Sequence, residues 1–204
     1  MTLEWYETLA DIIGAYEPLA DVDRSRLRGA DFRPRPSEWT MPDGTEVWRW
    51  DSISQPGVEE GQSPVSQRAY DPLPEDLEHV RRTISETLLL PGEASDYHFA
   101  LLGAYDALWR IRRQHPSISD LIEKLCLLDV RLVEARPEAV RMPGAARNAF
   151  VSIPAFQRLF SLYLDEGYLA EALEIAERAV PFGQSPDLTN LRERLAVLLA
   201  EVAP

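Results

Sequence analysis

The feature of this sequence that most constrains its fold is the spacing of the apolar residues after residue 75. Leucine, isoleucine and valine recur every three or four positions, which aligns them along one side of an α-helix. Breaks at Pro91 and Pro116 predict helix ends. Ser117, with Asp120 three residues later, predicts a capping box. The pattern predicts a mainly α-helical protein, with helices over residues 75–90, 94–114, 118–135, 153–166, 169–180 and 187–202.

The residues before position 75 follow no single pattern. Residues 2–16 predict an amphipathic helix that ends before Pro18, because their apolar residues again have helical spacing. The run Arg33-Pro34-Arg35-Pro36 favours an extended arm or linker, since proline restricts both itself and the preceding residue. The predicted helix over residues 2–16 carries its apolar stripe on Leu3, Tyr6, Leu9, Ile13 and Tyr16.

A β-hairpin is the next predicted element. Asp43-Gly44 separates two short segments rich in aromatic and β-branched residues, which is a strong hairpin signal. Trp48 and Trp50 would share one face, and we expect both rings to dock on a helix because an isolated hairpin is marginal in water. Residues 51–74 predict a long loop. The sequence therefore divides into residues 1–74, with the helix, the proline-rich arm and the hairpin, and residues 75–204, the helical domain.

Charge and cysteine content restrict the function. The formal net charge of −13 argues against a nucleic-acid or anionic-membrane surface and favours a basic or apolar partner. Cys126 is the sole cysteine, which excludes an internal disulfide and favours a reducing compartment. The acidic N-terminus does not resemble a signal peptide, and no apolar run is long enough for a membrane span. We expect a cytoplasmic protein without membrane contact.

No chemical motif points to catalysis or to a cofactor. His79, His98 and His115 are far apart and belong to no metal-binding pattern. Cys126 lies in a leucine-rich helical segment, as a small buried residue would. The sequence contains no nucleotide-binding glycine motif and no nucleophile elbow. We therefore expect no cofactor, and structural or surface roles for these side chains.

Residues 156–179 resemble the tetratricopeptide repeat. The motif combines large apolar residues on a first helix, a glycine at the turn and alanines on a second helix. The matching positions are Phe156, Leu159, Phe160, Tyr163, Gly167, Ala172, Ala176 and Ala179. Phe160 and Ala176 depart in size from the family pattern. Residues 94–135 match more loosely, and the wider arrangement resembles bacterial proteins of unassigned role. The resemblance implies two antiparallel helical hairpins followed by a terminal helix.

The resemblance also implies a function, because such repeats bind peptides or proteins in a groove lined by their first helices. It would be a non-enzymatic interaction module. The groove is acidic with apolar patches, so we expect a basic segment with apolar anchors near Phe99 and Leu164. Projecting the family geometry onto this sequence places Asp96, Phe99, Gly103, Asp106, Pro154, Gln157, Ser161, Leu164 and Asp165 in the groove.

Three alternatives remain open from the sequence. One is an enzyme or nucleic-acid accessory with a site between the arm and the helical body, where Trp48, Trp50 and the basic cluster around Arg110 are the candidate residues. Another is a structural subunit whose residues 17–74 become ordered against neighbours. In the third, the N-terminal helix itself fills the groove.

Overall fold

The computed structural model of the protein describes residues 27–42, 44, 46–69, 73, 76–142 and 149–184. The predicted helices over residues 2–16 and 187–202 lie outside these ranges. Within them the chain is mainly helical and carries a small antiparallel sheet before the helices. The predicted fold class is therefore confirmed at this level.

The elements follow the sequence pattern closely from residue 76 onward. Each helix predicted between residues 75 and 180 is present, and three of the five are only one residue shorter than predicted. In the described part of the chain, 3₁₀ turns cover Pro116–Ile118, Pro137–Val140 and Val180–Phe182. The strands are β1 (Phe32–Thr40), β2 (Glu46–Ser52) and β3 (Glu59–Glu60), and the described α-helices are α1 (Ser66–Ala69), α2 (Leu77–Thr87), α3 (Ala94–Ile111), α4 (Ser119–Ala135), α5 (Pro154–Glu166) and α6 (Leu169–Ala179).

The sheet has the order β1-β2-β3, so β1 is an edge strand among the residues that the structure describes. The predicted arm over residues 33–36 is wrong in one respect, because these residues are extended but are paired with β2. Pro34 stands opposite Trp50, and Pro36 stands opposite Trp48. Proline has no N–H to donate, so it fits an edge strand at alternate positions whose backbone points away from the partner.

The two faces of the sheet differ in character. The aromatic face carries Phe32, Pro34, Pro36, Trp48 and Trp50. Trp50 is 1% exposed but Trp48 is 42% exposed, so only one of the two rings that were expected to dock on a helix is buried.

The opposite face of the sheet is ionic. Arg35 pairs with Asp51 and with Glu59, whose carboxylate lies 2.7 Å from the guanidinium, and Arg49 also pairs with Glu59. All four side chains are partly exposed, so these ion pairs contribute little individually.

Residues 51–74 are not the continuous loop that the sequence predicts. They contain β3 and α1, and Val65 is fully buried in the main core. A Cβ on Gly92 would lie 2.7 Å from Val65, and a Cβ on Gly29 would lie 2.9 Å from Pro64. The close approach fixes residues 63–69 against the helices, while residues 53–59 are exposed.

Helix α3 is central to the helical body. It contacts α1, α2, α4 and the 3₁₀ turn at residues 137–140, and α4 in turn contacts α5. Asp96 caps α3 by accepting a hydrogen bond from the backbone N–H of Glu93 at 3.0 Å. The capping box predicted at Ser117 is absent, because the 3₁₀ turn makes Ile118 the N-cap of α4 without a side-chain bond.

Helices α5 and α6 contact each other across a tight turn. Gly167 ends α5 with φ 82° and ψ 11°, a left-handed conformation that glycine adopts without steric cost. Ala172 and Ala179 are fully buried, and Leu159 is buried opposite them. Small side chains allow the two helices to approach closely.

Candidate functional site

The residues predicted for the groove lie on α3 and α5, and several already have partners within the protein. The Asp96 carboxylate accepts a hydrogen bond from the Ser63 hydroxyl at 2.6 Å in addition to capping α3. Phe99 is partly buried, and its ring centroid lies 5.1 Å from that of His98. Leu164 is partly buried against the small apolar cluster at the start of α6. These three side chains therefore contribute to the protein's own structure.

The two other acidic groove residues are paired with arginines that connect α3 and α5. Arg158 donates to Asp106 at 3.2 Å, and Arg112 lies 3.7 Å from Asp165. Both guanidinium groups cover the Trp109 ring, at 3.5 Å for Arg112 and 4.7 Å for Arg158. Such stacking is stabilising where water is partly excluded. The groove is therefore less acidic than its aspartates alone predict, because their charges are neutralised locally.

Among the remaining predicted residues, Gly103, Pro154 and Ser161 are partly buried. Gln157 is exposed, and its amide donates to the Ser161 hydroxyl at 3.3 Å. These two polar side chains give the groove hydrogen-bonding capacity without charge.

A second concave surface lies on another part of α5 and was not anticipated from the sequence. It is an acidic cleft of about 450 Å³ between the start of α4, the end of α5 and the turn into α6. No basic residue is among the described residues that line it. The lining consists of Ser119, Asp120, Glu123, Leu162, Tyr163, Glu166, Tyr168 and Glu171.

Two tyrosines give the acidic cleft its geometry. The Tyr163 hydroxyl donates to the Glu123 carboxylate at 2.8 Å, which joins α5 to α4. Partial burial and this hydrogen bond raise the pKa of Tyr163 well above its usual value, so the hydroxyl remains a donor. Tyr168 is 56% exposed at the rim. The cleft thus offers carboxylate acceptors beside an accessible aromatic ring, a combination that suits a cation.

A buried polar cluster connects α3 to α4. His98 Nδ1 lies 2.7 Å from one carboxylate oxygen of Asp129, and the Tyr105 hydroxyl donates to the other at 3.2 Å. All three side chains are fully buried. Burial raises the pKa of Asp129, while the contact with His98 acts in the opposite direction.

The complete burial of its three side chains favours a structural role for this cluster. Nε2 of His98 has no hydrogen-bond partner among the described residues, whereas Nδ1 faces the Asp129 carboxylate. Cys126, one turn before Asp129, is also buried, and burial raises the pKa of its thiol. The structural roles expected for His98 and Cys126 are consistent with this placement, but Asp129 was missed. The available signal was a carboxylate, Asp129, among the leucines of α4, because a charged residue in an apolar helical segment indicates a buried polar partner.

The candidate residues for an enzyme or nucleic-acid site are not assembled into one place. Within the described ranges, the strands make no extensive contact with α3, which carries Arg110. Trp50 is buried, and Arg112 is engaged with Trp109 and Asp165. No group of three or more potential ligands in the described part of the chain could hold a metal ion.

Comparisons with other proteins identify no relative. No family model matches the sequence, and neither a curated protein nor a solved structure is significantly similar to it. Among the helices that the structure describes, none is long and apolar enough to cross a membrane. The function must therefore be argued from the surface of the protein itself.

Proposed function

We propose that this chain is a protein-interaction module built of antiparallel helical hairpins of the tetratricopeptide type. In this proposal α3 with α4 and α5 with α6 form the two hairpins. The bound partner is a basic peptide segment that also carries apolar side chains. The protein itself performs no chemistry.

The order of helix contacts supports the architectural part of this proposal. α3 contacts α4, α4 contacts α5, and α5 contacts α6, so each helix packs on its neighbour in sequence. Sequential packing of this kind is typical of helical repeats. The left-handed Gly167 and the buried Ala172 also stand where the repeat motif requires a turn and a close helix contact.

The acidic cleft is the observation that carries the binding proposal. Four carboxylates, from Asp120, Glu123, Glu166 and Glu171, surround it, and two tyrosines, Ser119 and Leu162 complete the lining. An arginine or lysine side chain could place its charge among the carboxylates and its methylene groups against Tyr168. The long-range field of the −13 net charge would attract the same ligand.

The groove between α3 and α5 supports this partner less well. Its Asp106 and Asp165 already pair with Arg158 and Arg112, so a basic ligand would have to displace those arginines. Exchanging these aspartates for arginine would also remove contacts between α3 and α5 and would alter stability. The cleft is therefore the better place to test binding.

A direct test is isothermal titration calorimetry, in which the full chain is titrated with a short peptide that contains arginine and leucine. The double variant Glu166→Gln with Glu171→Gln removes two cleft charges, and we expect affinity to fall about tenfold or more, as for loss of charged hydrogen bonds at an interface. Binding should also weaken as salt increases. An acidic peptide of the same length should not bind.

The matched control is Glu174→Gln with Glu177→Gln, which changes the same net charge on the exposed side of α6. This control retains the cleft but reduces the overall field equally. If both double variants weaken binding to the same extent, the attraction is nonspecific and the cleft is not the site. Unchanged affinity in the cleft variant would reject the proposal outright.

A further inference from the structure

Another cavity lies where the sheet meets α1, and none of its described lining residues belongs to the acidic cleft. Its volume is about 260 Å³, slightly below the range of about 300–1,000 Å³ for drug-sized ligands, so it suits a smaller molecule. We call it the junction cavity. Its lining consists of Arg28 and Gly29 before β1, Phe32 in β1, Glu60 in β3, Pro64, and Gln67 and Arg68 in α1.

One side of the junction cavity is apolar and closely packed. Gly29 has φ +88°, and a Cβ built there would lie 2.9 Å from Cβ of Pro64, so the two residues are in tight contact. The backbone N–H of Phe32 donates to the Gly29 carbonyl at 3.1 Å, which closes the turn before β1. Phe32 and Pro64 are both buried. This packing gives the cavity a preformed apolar wall, as is usual for small-molecule sites.

The polar side of the junction cavity carries two guanidinium groups. The Arg28 side chain is 89% exposed, and its guanidinium lies 3.9 Å from the Glu60 carboxylate, which is too far for a hydrogen bond. Arg68 donates through Nη1 to Glu86 at 3.2 Å, and its Nε and Nη2 groups can each donate to a further acceptor. Glu86 is outside the lining and offsets part of the Arg68 charge. Gln67 is exposed and adds an amide beside these groups.

The charge of the lining selects the class of ligand. Arg28 and Arg68 against Glu60 leave one net positive charge, which a monoanion would neutralise. A dianion would instead leave an excess negative charge on a protein whose net charge is already −13. Guanidinium groups also match the two oxygens of a carboxylate in geometry. We propose that the junction cavity binds a small monocarboxylate, with its carboxylate on Arg28 and Arg68 and its apolar body against Phe32 and Pro64.

Nuclear magnetic resonance of the full chain tests the proposal, with benzoate as the monocarboxylate. At constant ionic strength, benzoate should shift the backbone amide signals of Gly29, Gln67 and Arg68 with a dissociation constant of about 1 mM or lower. Benzamide has the same shape without the charge and should bind about tenfold more weakly or less. Phenyl phosphate, as a dianion, should also bind more weakly than benzoate. Unchanged signals at about 10 mM benzoate, or an equal or higher affinity for either analogue, would overturn the proposal.

Three variants test the charges separately. Arg28 is exposed, so Arg28→Gln should fold normally, and it should weaken benzoate binding about threefold to tenfold. Arg113→Gln makes the same charge change at an exposed position just after α3 and should leave the affinity nearly unchanged. Glu60→Gln removes the opposing charge and should strengthen the binding of phenyl phosphate more than that of benzoate. Wild-type affinity in the Arg28 variant, equal losses in the Arg28 and Arg113 variants, or weaker phenyl phosphate binding after Glu60→Gln would overturn the proposal.

Discussion

The helical body and the sheet are held together by different interactions. The body buries a continuous apolar cluster from Val65 to Phe182, and the buried Asp129 is hydrogen-bonded to both His98 and Tyr105. The sheet, in contrast, combines two buried aromatic residues, Phe32 and Trp50, with partly exposed ion pairs among Arg35, Asp51 and Glu59. Buried contacts lose more when broken than exposed ion pairs do, so stability should be concentrated in the body. Four measurements, in order of expected effect, test this contrast.

The largest effect should follow from Asp129→Ala in α4. The substitution leaves the buried His98 and Tyr105 without their acceptor, which should lower the free energy of unfolding by about 3–5 kcal/mol. Chemical denaturation measures the loss. Asp120→Ala, an exposed change in the same helix, should cost less than about 1 kcal/mol. Similar small losses at both positions would show that the buried cluster is not important for stability.

A smaller effect is expected for Ala172→Leu at the contact between α5 and α6. Ala172 is fully buried, so the larger side chain should overpack the helices and cost about 1–3 kcal/mol. Glu171→Leu changes the exposed neighbouring position and should have little effect on the denaturation midpoint. Equal midpoints for the two variants would contradict a close helix contact at Ala172.

The turn at Gly167 should be sensitive to backbone strain alone. No atom lies within 4 Å of a Cβ built there, but φ is +82°, so Gly167→Ala should cost about 1–2 kcal/mol. Gly103→Ala, inside α3 and without a close contact, should instead stabilise the protein by up to about 1 kcal/mol. Thermal denaturation measures whether each substitution lowers or raises the stability. A loss of stability at both positions would mean that α3 has no room for a methyl group at Gly103.

The smallest effect is the pH dependence of stability that Asp31, just before β1, should contribute. Hydrogen bonds from Ser52 and Ser54 lower the pKa of Asp31 from 3.8 to about 2. Because the pKa is lower in the folded state, this carboxylate stabilises the protein above about pH 4, and the contribution is lost as the pH falls toward 2. Asp31 is partly exposed, so the contribution should be below about 1 kcal/mol.

Denaturant titrations of the wild type and Asp31→Asn between pH 6 and pH 2 measure this contribution. The difference between the two proteins should be largest at pH 6 and should disappear near pH 2. A constant difference across this range would mean that the two serines do not stabilise the ionised form.

The sequence predicted the parts of this fold that depend on local periodicity. The helices from α2 to α6 follow from apolar spacing, and the turn at Gly167 follows from a glycine at a helix end. Elements that depend on distant contacts were missed. Helix α1 is four residues long and is held by contacts with α3, and no periodic signal exists in so short a segment.

The candidate site was less predictable for the same reason. Asp106 and Arg158 are 52 residues apart, so their ion pair could not be read from sequence spacing. The acidic cleft is lined by side chains from three helices, and its carboxylates are not grouped in a sequence motif that would predict a site. Phe99 and Leu164, predicted as ligand anchors, are partly buried within the protein.

The prolines of β1 have a consequence for solubility and assembly. An exposed sheet edge is a template on which a strand from another molecule can be added, and long regular edges promote aggregation. At the β1 edge, Pro34 and Pro36 remove two of the N–H donors that an incoming strand would need. Growth of the sheet into a larger intermolecular sheet is therefore disfavoured at the β1 edge.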